Sequence, residues 1–271
     1  MMRALWSAAS GMIAQQTNVD TISNNIANVN TTGYRTEKAE FKSLLYQTLQ
    51  AKTTTANGAN KPIPAQVGLG TRVASTTSDF SEGEMVASSS KTAFGIEGDG
   101  FFAVDGLNGD TYYTRNGNFS WSLGANGIQL STSDGYAVED SKGNPIILPD
   151  GVDANNVTVG TDGSIGYKDT SGNYVSLNQT IGLYQFNNPA GLDKIAGTYF
   201  TETAASGNAL NEATDTTITK SKLNQGYLES SNVQVADEMV NLIVAQRAYE
   251  LNSKAIQAAD DMLGQANALK R

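Results

Sequence analysis

The sequence predicts an α+β fold in which a β-rich central domain is flanked by long N- and C-terminal helices. Apolar residues recur at three- and four-residue steps at both ends of the chain. Between them, turn-forming pairs such as Asn-Gly and Asp-Gly recur at short spacing, and the 271 residues include 27 Gly. The helices are expected to pair as a coiled-coil-like unit, and the middle to form hairpins in a sandwich- or barrel-like arrangement.

The N-terminal helix carries a heptad seam. Its members are Leu5, Ala8, Met12, Gln15, Val19, Ile22, Ile26 and Val29. An amphipathic helix packed on an ordinary globular core is the alternative interpretation. A second such pattern at the other end of the chain favours pairing. Gln15 and Gln246 are candidates for setting the register, or belong to a solvated polar face.

A polar segment ends the first helix, and a second segment of changed composition follows it. Ser23 to Tyr34 is rich in Asn and Thr, which predicts a helix cap, and Gly33 suits a positive φ. Phe41 to Leu49 is predicted to be short helical or extended structure. Residues 49–66 have low hydrophobicity and two prolines, which predicts a mobile linker.

The middle of the chain, residues 67–224, is predicted to be β structure. Turns are predicted at Asn108-Gly109, Asn116-Gly117, Asn126-Gly127, Asp134-Gly135, Lys142-Gly143-Asn144, Asp162-Gly163 and Ser171-Gly172-Asn173. Strands are predicted at Phe101–Val104, Thr111–Thr114, Asn118–Leu123, Ile146–Leu148, Val157–Val159 and Ile181–Phe186. No alternation of strands and helices is visible, which disfavours a doubly wound nucleotide-binding fold.

The closing stretch, Asn232 to Arg271, is predicted to be one long helix with an apolar stripe. The stripe comprises Met239, Leu242, Ile243, Tyr249, Ile256, Ala259, Leu263 and Ala266. Gln246 and Asn252 interrupt it. A helix of this length needs a partner helix, and remaining apolar surface is expected to be buried by neighbouring molecules.

Composition excludes several classes of function. The net charge of −9, without a cluster of Lys and Arg, argues against nucleic-acid binding. No apolar run approaches the roughly 18 residues of a membrane span, and no cleaved signal peptide is visible. Cys and His are both absent, which removes disulfides, imidazole and thiolate metal ligands, and the common nucleophile pairs. No cofactor is expected.

Three stretches suggest chemical sites at first sight, and none is favoured. Gly95 to Gly100 is glycine-rich but lacks dinucleotide-loop spacing. Asp105 to Asp110 resembles a calcium loop, yet Leu107 and Gly109 occupy ligand positions, so a hairpin tip is preferred. Two carboxylate pairs, Glu82 with Glu84 and Glu139 with Asp140, suggest a glycosidase only superficially. The protein is predicted not to be an enzyme.

Three motifs together resemble the axial proteins of the bacterial flagellum, the rod and hook family. They are Ala27-Asn28-Val29-Asn30-Thr31-Thr32-Gly33-Tyr34, then Gly98-Asp99-Gly100-Phe101-Phe102-Ala103-Val104 with Tyr113 to Phe119, and Gln225-Gly226-Tyr227 to Val233 with Ala245-Gln246-Arg247-Ala248-Tyr249 to Lys254. They stand in the family's order and span nearly the whole chain. Met2 to Gly11, Ala14 to Asn18 and Phe41 to Thr48 are most similar to distal-rod members. A proximal-rod paralogue is the nearest alternative, and a hook subunit is usually longer.

The resemblance implies a structural subunit that polymerises into a rigid helical tube around an export channel, the drive shaft linking basal body to hook. Its implied partners are copies of itself, neighbouring rod and hook proteins, the surrounding bushing rings and the flagellar type III export apparatus. The implied location is the distal rod in the periplasm, reached without a cleaved signal peptide. Residues 49–66 would then be a rod-specific insert packed between subunits.

The expected domains are an inner core, made from residues 1–48 and 225–271, the insert, and a β-rich outer domain over 67–224. The expected assembly-interface residues are Leu5, Met12, Val19, Ile22, Ile26, Val29, Met239, Leu242, Ile243, Tyr249, Ile256 and Leu263. Those of the family signature are Asn28, Asn30, Thr32, Gly33, Tyr34, Gly226, Tyr227, Asn232, Gln246, Arg247, Tyr249 and Asn252. A soluble β-domain binding module with folded-back helices is the alternative from another class.

Overall fold

The structure, a computed structural model, describes residues 2–50, 65–106, 109–124, 127–149, 151–168 and 173–269. The predicted α+β class is confirmed, because two long helices flank a β-rich middle. The chain forms two compact units. We call residues 1–27, 37–78 and 234–271 the helix unit, and residues 28–36 and 79–233 the β unit.

The two helices are α1 (Met2–Ala27) and α2 (Val235–Ala268). The strands are β1 (Glu37–Ser43), β2 (Tyr46–Gln50), β3 (Ala65–Gly68), β4 (Thr71–Ser78), β5 (Met85–Ala87), β6 (Phe94–Glu97), β7 (Phe101–Asp105), β8 (Thr111–Thr114), β9 (Ser120–Gly124), β10 (Gly127–Ser131), β11 (Ile147–Leu148), β12 (Val157–Val159), β13 (Ser164–Lys168), β14 (Tyr174–Thr180), β15 (Leu183–Gln185), β16 (Asp193–Ala196), β17 (Tyr199–Thr201), β18 (Leu210–Asn211), β19 (Lys222–Gln225) and β20 (Tyr227–Glu229).

In the helix unit, α1 packs against α2, and an antiparallel ribbon accompanies the pair. The ribbon consists of β1 paired with β4 and of β2 paired with β3. The backbone N–H of Leu44 donates to the carbonyl of Gly70 (2.9 Å) and joins the two ladders. The segment after Phe41 is therefore extended. Most of the expected insert, residues 51–64, lies outside the described residues.

Both helices differ at one end from their predicted limits. α1 ends at Ala27, so Val29 is not part of the helical seam as predicted. The Thr31 hydroxyl donates to the Asn28 side chain (3.1 Å), and this local turn competes with another helical turn. α2 begins at Val235 rather than at Asn232, whose side chain is hydrogen-bonded within the β unit.

Antiparallel sheets make up the β unit. The largest has six strands in the order β16-β17-β8-β7-β15-β18, and two three-stranded sheets have the orders β11-β10-β9 and β12-β13-β14. β19 pairs with β6, and β20 with β5. Each predicted strand overlaps an observed one, because short apolar runs between turn residues suit hairpins.

The core lies on both faces of strand β7. Phe102 and Val104 belong to the larger cluster, with Ile96, Val138 and Ile165 among its members. The intervening residues Phe101 and Ala103 join an aromatic cluster of Tyr113, Phe186 and Phe200. Because successive side chains of a strand point to opposite faces, the unbroken apolar run Phe101 to Val104 marks a strand that is buried on both sides.

The predicted turns at Asp134-Gly135, Lys142-Gly143 and Asp162-Gly163 are confirmed by positive φ at each glycine, +91°, +77° and +81°. The segment with the turn predicted at Asn116-Gly117 does not form a hairpin, because β8 before it and β9 after it lie in different sheets. Gly117 is required there because a Cβ would lie 1.7 Å from the carbonyl oxygen of Phe94. Parts of the other predicted turns, residues 107–108, 125–126 and 169–172, lie outside the described residues.

The compact units also divide the chain differently from the expected domains. Residues 71–78 pair with β1 and belong to the helix unit, whereas residues 28–36 and 225–233 belong to the β unit. Pairing between segments distant in sequence determines which unit each segment belongs to, and such pairing cannot be predicted from composition. Among the described residues, neither helix is long and apolar enough to cross a membrane.

Candidate assembly interface

Small residues form the centre of the contact between α1 and α2. Ala8, Ala14, Ala245 and Ala259 are buried there, together with Ile22. Most of the larger predicted interface residues flank this line and are half-buried. They are Leu5, Met12, Val19, Ile26, Leu242, Ile256 and Leu263. The pair therefore approaches closely, and its larger side chains lie at the edges of the contact.

Gly11 is the point of closest approach in this seam. A Cβ at position 11 would lie 2.9 Å from the side-chain Nδ2 of Asn252. Asn252, which interrupts the apolar stripe in sequence, is thus half-buried against a residue without a side chain. Gly264 of α2 differs, because a Cβ at that position would meet open space among the described residues.

We expect Gly11→Leu to destabilise the helix pair by about 1–3 kcal/mol, because the new side chain must displace Asn252. Gly264→Ala should stabilise it by about 0.5–1 kcal/mol, since the space is open and alanine favours a helix. Thermal unfolding followed by circular dichroism at 222 nm measures both changes. Equal effects of the two substitutions would contradict the close approach at Gly11.

A polar cluster closes one end of the seam. The Asn25 side-chain amide donates to the Glu37 carbonyl (2.8 Å) and accepts from the Glu37 N–H (2.9 Å), as a neighbouring strand would. It also lies 3.4 Å from a carboxylate oxygen of Glu238, which is buried in α2. This cluster can fix the register of the helices. The sequence suggested Gln15 and Gln246 for that role instead. The only sequence signal for Asn25 and Glu238 is that they are polar residues within predicted helices.

A large part of the apolar surface of α2 has no partner within the described chain. Met239, Ile243 and Tyr249, three of the predicted interface residues, are exposed. So are Val240, Val244 and Leu251, which have 59%, 62% and 66% of their surface accessible and which the predicted stripe does not include. We call Val240, Val244 and Leu251 the outer stripe.

A groove runs between the two helices on another side of α2. It has a volume of about 420 Å³ and is lined by Gln16, Val19, Gln246, Tyr249 and Glu250. Val19 and the Tyr249 ring supply apolar surface, and two amides and a carboxylate form the polar edge. We call it the helix groove.

In the β unit, the family-signature segments meet at a buried ion cluster. A guanidinium nitrogen of Arg35 lies 2.7 Å from Glu229 Oε1, and Arg115 Nε lies 3.2 Å from Glu229 Oε2. All three side chains are at most 2% exposed. Burial lowers the pKa of Arg115 to about 10, although the carboxylate of Glu229 acts in the opposite direction.

Backbone groups complete the cluster. Arg35 donates to the Ser81 carbonyl (2.7 Å), Arg115 donates to the carbonyl of Gly100, and the Gly83 N–H donates to Glu229 (2.9 Å). These bonds join five segments of the β unit that lie far apart in sequence. The motifs that carry Arg115 and Glu229 were visible in the sequence, but the pairing of their charges was not.

Several signature residues have a local structural role. Asn232 Oδ1 accepts from the Thr36 N–H (2.8 Å), and its Nδ2 donates to the Asp79 carbonyl (2.9 Å). Gly33 has φ +69°, and a Cβ there would lie 2.6 Å from the Asn116 nitrogen. Gly226 also has positive φ, +80°. Asn30, Thr32, Tyr227, Gln246 and Arg247 are exposed or half-buried, whereas Tyr34 is buried.

The two carboxylate pairs differ in their surroundings. Glu82 and Glu84 are exposed, whereas Glu139 and Asp140 are buried. Asp140 accepts from the N–H groups of Lys142 (2.8 Å) and Asn144 (2.9 Å), as in a tight turn. Burial raises the pKa of Glu139, and the charge of Asp105 adds to the effect. Among the described residues, no group of three or more carboxylates is placed to hold a metal ion.

Comparison with known proteins identifies the family. Three family models match, "Flagella basal body rod protein" over residues 5–35, "Flagellar hook protein FlgE/F/G D1 domain" over residues 95–167 and "Flagellar basal body rod FlgEFG protein C-terminal" over residues 224–269. The matches coincide with α1 and the segment after it, the centre of the β unit, and α2 with the segment before it.

Full-length relatives agree with these models. The flagellar basal-body rod protein FlgG of Borreliella burgdorferi is 46% identical over 273 residues and covers 100% of both chains. The proteins of the same name from Buchnera aphidicola subsp. Schizaphis graminum and Agrobacterium fabrum are each 39% identical, over 97% and 96% of this chain and 98% and 97% of their own. This chain therefore belongs to the family of flagellar basal-body rod proteins.

Proposed function

We propose that this protein is a structural subunit of the flagellar distal rod, and that it polymerises through α1 and α2 into a rigid helical tube around the export channel. The observation that carries the proposal is the apolar surface of α2, where Met239, Ile243 and the outer stripe lack partners within the described chain. Exposed apolar residues that cluster on one element mark interaction sites in soluble proteins. The FlgG relatives support the distal rod over a proximal-rod or hook assignment.

In this proposal the helix unit holds the tube and the β unit faces outward. Its neighbours are further copies, the adjoining rod and hook proteins and the surrounding bushing rings. The chain reaches its place between the membranes through the type III export apparatus, without cleavage of a signal peptide. Residues 49–66 act as the insert that packs between subunits. The interface residues predicted from sequence stay the proposed interface, including Val29, which follows the end of α1.

Contacts of this kind are heterologous, since different faces of identical subunits meet. They build a helical tube when the rotation between neighbours does not close into a ring. Such a role needs no catalytic group, and we propose that the protein has no enzymatic activity. A muramidase assay that showed turnover by the purified protein, lost in Glu82→Gln, would contradict this part.

Electron microscopy of the purified, concentrated chain tests the proposal. We expect straight tubes. Curved, supercoiled tubes would favour a hook-like subunit, and a monomer at every concentration would favour the binding module.

Limited proteolysis complements the images. If the helices serve assembly, protease should remove them from the monomer and leave about residues 28–233. A shorter fragment that matches the β-rich domain expected from sequence, residues 67–224, would lack Arg35 and Glu229 of the buried ion cluster.

A further inference from the structure

We infer that the helix groove of one subunit receives the outer stripe of a second copy of this chain. This inference rests on the proposed function and names the contact by which one subunit holds the next. It joins a groove lined by Val19 and Tyr249 to a ridge formed by Val240, Val244 and Leu251. Neither surface is covered by another described part of the chain.

The two surfaces lie on different sides of α2, so one subunit presents both. Gln246 of the groove and Val244 of the stripe are two residues apart along α2. Tyr249 of the groove and Leu251 of the stripe are also two residues apart. Since each residue turns an α-helix by about 100°, each pair is about 160° apart around the axis. A subunit can therefore offer its stripe to one neighbour and its groove to another. Such contacts are heterologous, and an assembly built from them can keep growing because its end subunits always present one free surface.

The apolar parts of the two surfaces match in size and kind. A groove of about 420 Å³ accommodates a few aliphatic side chains, and its apolar surface is a valine and a tyrosine ring. The stripe supplies two valines and a leucine that are each more than half exposed. Val240 and Val244, and then Leu251, follow steps of four and seven, which is the spacing of a ridge that fits between two helices.

Charges at the edges are also complementary. Glu250 lines the groove, and Asp20 lies exposed one turn beyond Gln16 on α1. The stripe is flanked by Arg247 and Lys254, one turn after Val244 and Leu251 respectively, and both are exposed. In the single chain Arg247 pairs with Glu250 (2.9 Å), but such an exposed pair contributes little and can exchange for a pair between subunits. A second copy of this chain thus fits better than a partner of other chemistry.

Disulfide cross-linking tests the contact directly, because the natural chain has no Cys. One variant carries Gln16→Cys at the groove, and the other carries Val244→Cys in the stripe. A disulfide forms only when the two Cα atoms come within about 7 Å. Under mild oxidation we expect the mixture of both variants to form a cross-linked dimer and each variant alone to stay largely uncross-linked. In the control mixture, Leu123→Cys takes the place of Val244→Cys, because Leu123 is exposed in the β unit, and little cross-linking is expected.

A charge exchange provides a second measurement. Glu250→Lys should reduce the mixed disulfide, and tube formation, by about tenfold, the effect of roughly 1.4 kcal/mol. Adding Lys254→Glu to the same chain should restore both. Glu97→Lys, an exposed change of the same charge in the β unit, should have no effect.

The outcomes separate this inference from the proposed function. If the two Cys variants assemble into tubes under oxidation but no disulfide forms between Cys at positions 16 and 244, the groove contact is overturned and the structural role stays intact. Equal cross-linking of the Leu123→Cys control would overturn it too. If the unmodified chain neither forms tubes nor self-associates in analytical ultracentrifugation, the proposed function itself fails.

Discussion

Glu229→Gln is expected to destabilise the β unit by about 3–5 kcal/mol, which is a large share of the stability of an ordinary domain. Glu229 is the carboxylate shared by Arg35 and Arg115, and all three side chains are buried. Without its charge, two buried guanidinium groups lose the carboxylate that they share. Burial lowers the pKa of Arg115 to about 10 even with the carboxylate of Glu229 acting in the opposite direction, so removal of that charge leaves the guanidinium in a less favourable position.

Urea denaturation followed by tryptophan fluorescence measures this effect. The chain has two tryptophans, Trp6 in α1 and Trp121 in β9, so a Trp6→Phe background reports on the β unit alone. Glu97→Gln is the matched control, because Glu97 is exposed in the β unit, where its carboxylate accepts from Asn224 (3.4 Å). This substitution should cost less than about 1 kcal/mol. Similar midpoints for the Glu229 and Glu97 variants would contradict the stabilising role of the cluster.

Ile22→Asp is expected to separate the two helices and abolish polymerisation while the β unit stays folded. Ile22 is 5% exposed in the seam between α1 and α2. A carboxyl group at that position costs several kcal/mol, because it must either stay ionised without a partner or take up a proton, and opening of the helix pair removes this cost. Ile256→Asp, at a half-buried position of α2, should act in the same direction with a smaller effect.

Circular dichroism at 222 nm reports on the helices in these variants, and Trp121 fluorescence reports on the β unit. We expect the first signal to fall and the unfolding midpoint of the second to stay unchanged. Ile13→Asp is the control on the same helix, since Ile13 is 67% exposed and its replacement buries no charge in the isolated chain. Straight tubes assembled from Ile22→Asp protein would disprove the role of the seam.

The terminal helices and most strands were predictable because they depend on local patterns. Heptad spacing predicted α1, and an apolar stripe at three- and four-residue steps predicted α2. Apolar runs between Gly and Asn turns predicted strands such as β7 and β12. Limits were less predictable where side chains compete with the backbone, as at Asn28. Family membership was predictable from three motifs that keep their order along the chain, and the comparisons confirm it.

The faces of the helices could not be assigned from sequence. α2 has apolar residues on more than one side, and hydrophobicity does not reveal which side meets α1. The seam uses Ala245 and Ala259, while the more apolar Ile243 and Val244 are exposed. The close approach of the helices at Gly11 determines which face of α2 meets α1. This face could not be recognised from hydrophobicity, because a glycine contributes nothing to an apolar pattern. The Asn25–Glu238 cluster depends likewise on a contact between the two ends of the chain.

The ion cluster has a consequence for the order in which the chain can fold. Arg35 is close to the N-terminus, whereas Glu229 precedes α2 near the other end. When a polypeptide emerges from its N-terminus, as it does from a ribosome, Arg35 and Arg115 appear long before Glu229. The ion cluster cannot form until Glu229 has emerged, because this carboxylate is shared by both guanidinium groups. We therefore expect an incomplete chain to lack the stabilisation that the cluster provides, since contacts between distant residues form late.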